Sequence, residues 1–286
     1  MVCIMAAVML MSVGCHKDSI SPILPDGALP GLFSVSATKQ VHFSQGNLQY
    51  QASTKTWRFA EHQYDYVGTQ TADGYGFYGG NVRGSDNRNI SSTYSGWIDL
   101  FGWGTGSNPT LSAANNGYYG TFVDWGFNAI INGGNTANRW RTLTQAEWDY
   151  LLKTRPGASS KLGTGNINGV GGLIILPDSW TLPSESSFTS GFATINPNNY
   201  PDWTHNSYTL AQWAQMEAAG AVFLPAAGYR DGTNVNGVGG YGVYWSSTPV
   251  DEHSAYNMYF YTNYLNAWYF DSRMVGFSVR LVQDSN

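Results

Sequence analysis

The sequence is poor in cysteine. Of its 286 residues only Cys3 and Cys15 are cysteines, and both lie near the start. The rest of the chain therefore has no disulfide, no thiolate nucleophile and no cysteine-based metal site. It also lacks a glycine-rich phosphate-binding loop, and no Ser-His-Asp set stands in a supporting sequence context. These absences argue against several large enzyme classes, so we expect neither catalysis nor a cofactor.

Charged residues are scarce as well. They make up 12% of the chain, the formal net charge is −5, and Lys and Arg are scattered singly. No basic stripe is present to neutralise phosphates, which argues against a nucleic-acid partner. No apolar run reaches the ~20 residues that a membrane-spanning helix needs.

Aromatic residues and glycine, by contrast, are abundant. Aromatic residues make up 15% of the chain, which also has 34 glycines. Aromatic rings supply large buried areas and glycine permits tight turns, a combination typical of a loop-rich globular protein. Turn signals recur from Leu32 onward without a second linker. We therefore expect a single domain over residues 32–286.

The N-terminus indicates export. Residues 1–13 are almost wholly apolar, and a polar run follows Cys15. An apolar stretch of ~7–15 residues is typical of a secretory signal peptide. The sequence from Ser12 to Cys15 resembles the lipobox of bacterial lipoproteins. We predict a signal peptide over 1–14, lipid attachment at Cys15 and a flexible tether over 15–31. The lipid alone would then hold the protein at the bacterial outer membrane or cell surface; an ordinary cleaved signal peptide is the alternative.

Two helices are predicted from their capping signals. Glu147 follows Thr144 at capping-box spacing, and Trp148 begins an apolar stripe. A second helix begins near Thr209, with Gln212 three residues on. Few helices, many short strands and long loops together predict an α+β fold.

The strands are predicted from short runs of apolar and β-branched residues. Residues 41–44, 47–50 and 56–59 are expected to form a meander. The apolar runs at 173–176 and 221–224 favour buried strands.

Several motifs resemble known families. The stretch from Arg141 to Tyr150 resembles the helix motif of the formylglycine-generating (sulfatase-modifying) superfamily, and Gly276-Phe277-x-Val279 resembles its closing strand. The segments 244–247 and 276–282 more closely resemble the Fibrobacter-type major paralogous domain, which is common in surface lipoproteins of gut bacteria. The resemblance implies a C-type lectin-like fold, with two main helices, short antiparallel strands and long loops. Proteins diversified by retroelements use that fold, and residues 250–273 look like their variable stretch.

The candidate binding site lies within the segment 244–282. There, residues 250–273 are crowded with polar and aromatic side chains between two strand-like edges. A rigid frame around such side chains is typical of binding loops. Alternation places Tyr256, Met258 and Phe260 in the core. It places Asn257, Tyr259 and Tyr261 on the surface. The predicted ligand-binding residues are Asp251, Glu252, His253, Asn257, Tyr259, Tyr261, Asn263, Tyr264, Asn266, Trp268, Asp271 and Arg273.

No metal site is predicted. Asp251, Glu252 and His253 are adjacent, but neighbouring side chains on an extended segment point to opposite faces, so the three do not converge on one ion. The sequence therefore predicts a binding protein for an extracellular protein or glycan ligand. Two alternatives stay open: a structural subunit of a surface or pilus assembly, and a degenerate enzyme of the formylglycine-generating type.

The predicted lipid anchor is directly testable. Metabolic labelling with a fatty-acid analogue should mark the wild-type protein and not Cys15→Ser, because the thiol of Cys15 is the expected attachment point. Equal labelling of both proteins, or labelling of neither, would contradict the prediction.

Overall fold

The computed structural model describes residues 24–68, 86–88, 91–110, 121–193 and 201–285. Strands account for 36% of the structure and helices for 12%. The prediction of a two-helix α+β, C-type lectin-like fold is therefore wrong. The described chain forms several small β-sheets joined by turns, with two short α-helices. The predicted signal peptide and Cys15 lie outside the described residues.

The first predicted helix forms but is short. Helix α1, Gln145–Asp149, begins with the expected capping box, in which Thr144 and Glu147 satisfy each other's backbone amides. It passes directly into a π-helical turn, Tyr150–Thr154. Pro156 follows two residues later, and proline cannot continue a helix.

The second helix, α2, spans Leu210–Ala218 and also starts with a complete capping box, at Thr209. Trp213 and Met216 are buried on its inner side. Gly220 follows with a φ of +96°, a left-handed conformation that ends helices. Both helices therefore end within a few turns. Most of the other regular elements in the described residues are short strands connected by turns.

The N-terminal sheet joins the two ends of the domain. Strand β1, Phe33–Ser34, and strand β15, Val282–Asp284, pair with opposite edges of β2, Gln40–Phe43. Leu29 is buried, and its amide donates to the Phe43 carbonyl at 2.8 Å. The last residues of the predicted tether, which ends at residue 31, are therefore packed against the domain.

A second sheet contains β3, Leu48–Gln51, between β4, Thr56–Phe59, and β5, Trp97–Ile98. The predicted meander is thus right in its second hairpin and wrong in its first. Strand β2 does not pair with β3 because β1 and β15 already occupy both edges of β2.

The third sheet has the order β8-β6-β7-β9. The predicted buried strands appear in it as β7 and β9, which pair antiparallel. In the sequence, β7 lies between α1 and α2, and β9 follows α2 directly. The four strands are β6, Leu162–Ile167; β7, Val170–Ile175; β8, Ser207–Tyr208; and β9, Val222–Pro225.

The C-terminal sheet carries the candidate site. Its strands β12, Tyr241–Pro249, β13, Ser254–Tyr261, and β14, Tyr264–Ser272, are consecutive and antiparallel. A small hairpin of β10, Tyr229–Asp231, and β11, Asn234–Asn236, precedes it. Within the described residues, β14 is an edge strand that pairs only with β13.

The closing segment fastens this sheet to the N-terminal half. Ser278 exchanges backbone hydrogen bonds with β12: Trp245 donates to the Ser278 carbonyl, and Ser278 donates to the Val243 carbonyl, each at 3.1 Å. On the other side, the Leu48 amide donates to the Val279 carbonyl at 2.9 Å. Residues 276–281 therefore connect two sheets without forming a long strand.

Arg280 lies at the centre of this connection. Its side chain is buried and donates to four acceptors. Nη2 reaches the carbonyl of Phe223 in β9 at 2.7 Å, and Nη1 reaches the carbonyl of Ser44 at 3.0 Å. The other acceptors are the Asn47 amide oxygen and the Gln63 carbonyl.

Candidate functional site

The two faces of the C-terminal sheet have different environments. Cross-strand partners share a face. The pair Tyr244 and Met258 is fully buried and joins the main apolar core together with Trp148. The opposite face carries the pair Val243 and Tyr259. On this second face the side chains surround a cavity.

The tyrosine-lined cavity has a volume of about 400 Å³. Its described lining comes from β10, all three strands of the C-terminal sheet and the closing segment. The lining residues are Tyr229, Tyr241, Val243, Tyr259, Tyr269, Asp271, Val275 and Phe277. Small-molecule pockets are commonly ~300–1,000 Å³, so the cavity suits a small ligand or a single side chain.

The rings of the cavity wall contact one another in sequence. Tyr229 stacks on Tyr241 with a centroid distance of 5.8 Å, and Tyr241 lies 5.5 Å from Tyr259. Tyr259 in turn stacks on Tyr269 at 5.1 Å. Aromatic pairs favour such offset and tilted arrangements, and the contacts fix the orientation of each ring. The wall is therefore formed before any ligand arrives.

Backbone bridges bring Tyr229 to this wall. Arg230 and Gly276 exchange two backbone hydrogen bonds, at 2.8 and 2.7 Å. A Cβ at Gly276 would lie 3.0 Å from the Arg230 guanidinium, so a larger residue there would crowd the Arg230 side chain. Gly228, with a φ of +70°, bridges to Gly242 in β12. These close approaches hold Tyr229 beside Tyr241.

Asp271 contributes the one carboxyl group among the described lining residues. Asn257 donates a hydrogen bond to it, with Nδ2 3.1 Å from Oδ2. Burial raises the pKa of Asp271 to about 6, and the hydrogen bond from Asn257 opposes part of that rise. Across the described chain, no Lys, Arg or His forms an ion pair with Asp271.

The hydroxyl group of Tyr241 stays protonated. Burial is the main cause that raises the pKa of Tyr241 well above its usual range, and nearby Tyr229 and Asp271 add to it. The wall therefore places the neutral ring and hydroxyl of Tyr241 next to the carboxyl of Asp271.

Five of the predicted site residues share the cavity face. Tyr259 and Asp271 line the cavity itself. Beside it, Tyr261 and Tyr264 stack at 5.1 Å, and the amide of Asn266 donates to the Tyr264 hydroxyl at 3.0 Å. A β-bulge between Asn257 and Tyr259 shifts the register and puts this end of β14 on the same face as Asp271.

Two predicted contact residues are buried instead. Asn257 has no exposed surface because its amide is held against Asp271. Arg273 is 8% exposed, with its guanidinium 4.2 Å above the Trp103 ring. It also donates to the carbonyls of Ser254 and Asp251. The prediction that Arg273 contacts ligand is corrected: its charge is used to fasten the end of the sheet.

The remaining predicted residues lie elsewhere. Trp268 is 51% exposed but belongs to the opposite face, where its indole donates to Asp149 at 2.6 Å and its ring meets Tyr256. Tyr256, expected in the core, is half-buried there. The expectation of one shared surface is therefore wrong for Trp268.

The two turns of the sheet hold the other four. Asp251, Glu252 and His253 are exposed in the turn before β13, whereas Asn263 lies in the turn after it. Strand β13 separates these turns by eight residues, or roughly 26 Å of extended chain. The twelve predicted residues do not form one contiguous site.

Six of the eight described lining residues were absent from the predicted set, and three of these six are tyrosines. Tyr269 was detectable, because it alternates with Asp271 along β14 and so shares its face. Tyr229 and Tyr241 lie before the segment 244–282, in which the site was predicted. Only the backbone bridges between β10, β12 and the closing segment bring them to the cavity.

Two further findings apply to the described residues only. Their Asp, Glu, His and Cys side chains form no group of three or more that would hold a metal ion. None of the described helices is both long enough and apolar enough to cross a membrane.

Comparison with known proteins gives one match. A family model described as a domain of unknown function (DUF8237) matches residues 199–282, a region that contains every described lining residue of the cavity. No curated protein matches the chain. No solved structure matches it either.

The structural role of Arg273 leads to a prediction. Arg273→Ala should lower the free energy of unfolding by about 1.5–3 kcal/mol, because two part-buried hydrogen bonds to carbonyls lose their charged donor. Urea denaturation followed by tryptophan fluorescence measures this. Lys153→Ala removes a charge that pairs with Asp149 on the exposed side of α1 and should have little effect. A change for Arg273→Ala no larger than that control would contradict the role.

Proposed function

We propose that this protein is a secreted binding protein that recognises an extracellular ligand through the tyrosine-lined cavity. The observation that carries the proposal is a preformed concave wall of four tyrosines around one half-buried carboxyl. Concave sites with many aromatic rings and few polar groups are typical of ligand binding. Tyrosine side chains also lose little conformational entropy when they bind.

The proposed location at the bacterial outer membrane or cell surface is the one expected from the sequence, whereas the proposed binding site differs from the expected one. Export and lipid attachment at Cys15 stay proposals that rest on the N-terminal sequence. Membership of the surface lipoproteins of gut bacteria and diversification by a retroelement also stay proposals, which rest on the segments 244–247 and 276–282 and on the composition of residues 250–273. The binding residues are now those of the cavity wall together with Tyr261, Tyr264 and Asn266 beside it.

A second candidate function is a subunit of a surface assembly. It is supported by the edge strand β14, on which Trp268 and Phe270, on the face opposite the cavity, are exposed by 51% and 56%. Exposed apolar edge strands are pairing sites for other chains. The two functions use different sides of β14, so adjacent substitutions separate them.

Tyr269 and Phe270 form the matched pair for this test. Tyr269 faces the cavity, where it stacks on Tyr259, whereas Phe270 contacts Tyr256 on the opposite face. The full chain is applied to arrays of glycans and of extracellular peptides. Tyr269→Ala should lower the affinity for any ligand found by roughly tenfold or more, because a central aromatic contact is lost. Phe270→Ala should bind as the wild type does.

The opposite pattern would contradict the proposal. If Tyr269→Ala retains full binding, the cavity is not the recognition site. The assembly role is favoured instead if two results are found together. The arrays give no ligand, and light scattering shows that the wild type forms oligomers whereas Phe270→Ala does not. Melting temperatures of both variants serve as the folding control.

A further inference from the structure

We infer that the tyrosine-lined cavity binds an organic cation, a group that carries an ammonium or guanidinium nitrogen. This inference rests on the proposed binding function and adds the chemical class of the ligand. Three features of the described residues point to it: an uncompensated carboxyl, a wall of aromatic faces and an unused acceptor beside the carboxyl.

The carboxyl of Asp271 has no countercharge in the described chain. Its described partner is the neutral amide of Asn257. Another half-buried carboxyl, that of Asp178, pairs with Arg155 at 3.0 Å, whereas the fully buried Asp99 is, like Asp271, held by neutral donors. A positively charged ligand would supply the missing charge, and it would favour the ionised form of Asp271 that burial disfavours.

The aromatic faces suit the same charge. A cation over a tyrosine ring is attracted by the negative face of the π-system, more strongly where water is excluded. The chain already uses this contact twice, with Arg58 3.8 Å above the Trp97 ring and Arg273 4.2 Å above Trp103. The cavity offers several such faces and no described Lys or Arg to occupy them.

Asn257 provides an unused acceptor. Its side chain is fully buried, and its Oδ1 atom has no hydrogen-bond partner, while Nδ2 is taken by Asp271. A buried oxygen without a donor is unfavourable by about 1–3 kcal/mol. A primary ammonium or a guanidinium group at Asp271 brings N–H donors next to this enclosed oxygen, whereas a quaternary ammonium such as choline brings none.

A neutral sugar fits the cavity less well. Sugars stack on aromatic rings, but each hydroxyl also needs hydrogen-bond partners. The described lining consists of tyrosine, valine, phenylalanine and one aspartate, so outside the tyrosine hydroxyls and Asp271 it offers no polar side chain. We therefore take a cation as the ligand class and a neutral glycan as an outcome of the test.

The test uses choline and its neutral carbon analogue dimethylbutanol, in which carbon replaces the charged nitrogen. A capped lysine, with both termini blocked, is the third probe and represents a protein side chain. Binding to the full chain is measured by ligand-observed NMR titration at pH 8. Choline or capped lysine should bind at least tenfold more tightly than dimethylbutanol, and the tighter cation indicates whether the natural source is a small molecule or a protein.

Variants assign the charge to Asp271. Asp271→Asn should weaken cation binding by roughly tenfold to a hundredfold, since a charged hydrogen-bond partner is lost. Glu252→Gln removes the same charge from an exposed turn and should leave binding unchanged. Tyr269→Leu keeps apolar bulk without a π-face and should weaken binding too, which covers the case in which Asp271→Asn fails to fold.

The outcomes separate this inference from the proposed function. Equal binding of choline, capped lysine and dimethylbutanol, no binding of either cation, or full cation binding by Asp271→Asn would overturn the cation class. If an array ligand is meanwhile lost with Tyr269→Ala but retained with Asp271→Asn, the cavity is still a binding site and its ligand is neutral. If Tyr269→Ala retains that ligand, the proposed function itself falls.

Discussion

The fold depends on the burial of the Arg280 guanidinium. It is fully enclosed, no described carboxylate forms an ion pair with it, and its charge is satisfied by backbone carbonyls and one amide oxygen. Burial lowers the pKa of Arg280 to about 10, so the group stays charged at neutral pH. An ion in that position tolerates no loss of its acceptors, because an unpaired buried charge is strongly destabilising. The acceptors come from distant parts of the chain, and Arg280 therefore fixes their relative positions.

The binding wall follows from that constraint through Asn47. Its amide oxygen accepts from Arg280 at 3.2 Å, and its amide nitrogen donates to the Tyr244 hydroxyl, also at 3.2 Å. Tyr244 in turn donates to the carbonyl of Pro225 at 2.9 Å. This chain of hydrogen bonds fixes β12 from its inner face, and Val243 next to Tyr244 is turned towards the cavity. A buried polar network thus positions the aromatic side chains that face solvent.

Local features of the fold were predictable from sequence, whereas long-range pairing was not. The capping boxes at Thr144 and Thr209 are defined by residues three apart, and the structure confirms both. Met258 and Phe260 are buried, as alternation predicts. The helix lengths, the pairing of β2 with β15 and the resulting β-rich fold depend on contacts far apart in the chain.

The candidate site shows the same division. Composition drew attention to Tyr259 and Asp271, which line the cavity, but it did not distinguish a residue that faces a cavity from one whose side chain is bonded inside the protein. Arg273 is the clearest case, because its guanidinium is held by Trp103, far away in the sequence. Asn257 is another, since the hairpin places it against Asp271 and buries it.

The central claim is that the C-terminal sheet presents a preformed, partly enclosed cavity with Asp271 in its wall. The most direct test is the pKa of Asp271, measured by carbon-13 NMR of the side-chain carboxyl across a pH titration of the ligand-free protein. An enclosed carboxyl should titrate near the value of about 6 that burial imposes, with matching shifts in the ring signals of Tyr259 and Tyr269. Titration near the ordinary value of 3.8, without any ring response, would show an open and solvated carboxyl and would contradict the account.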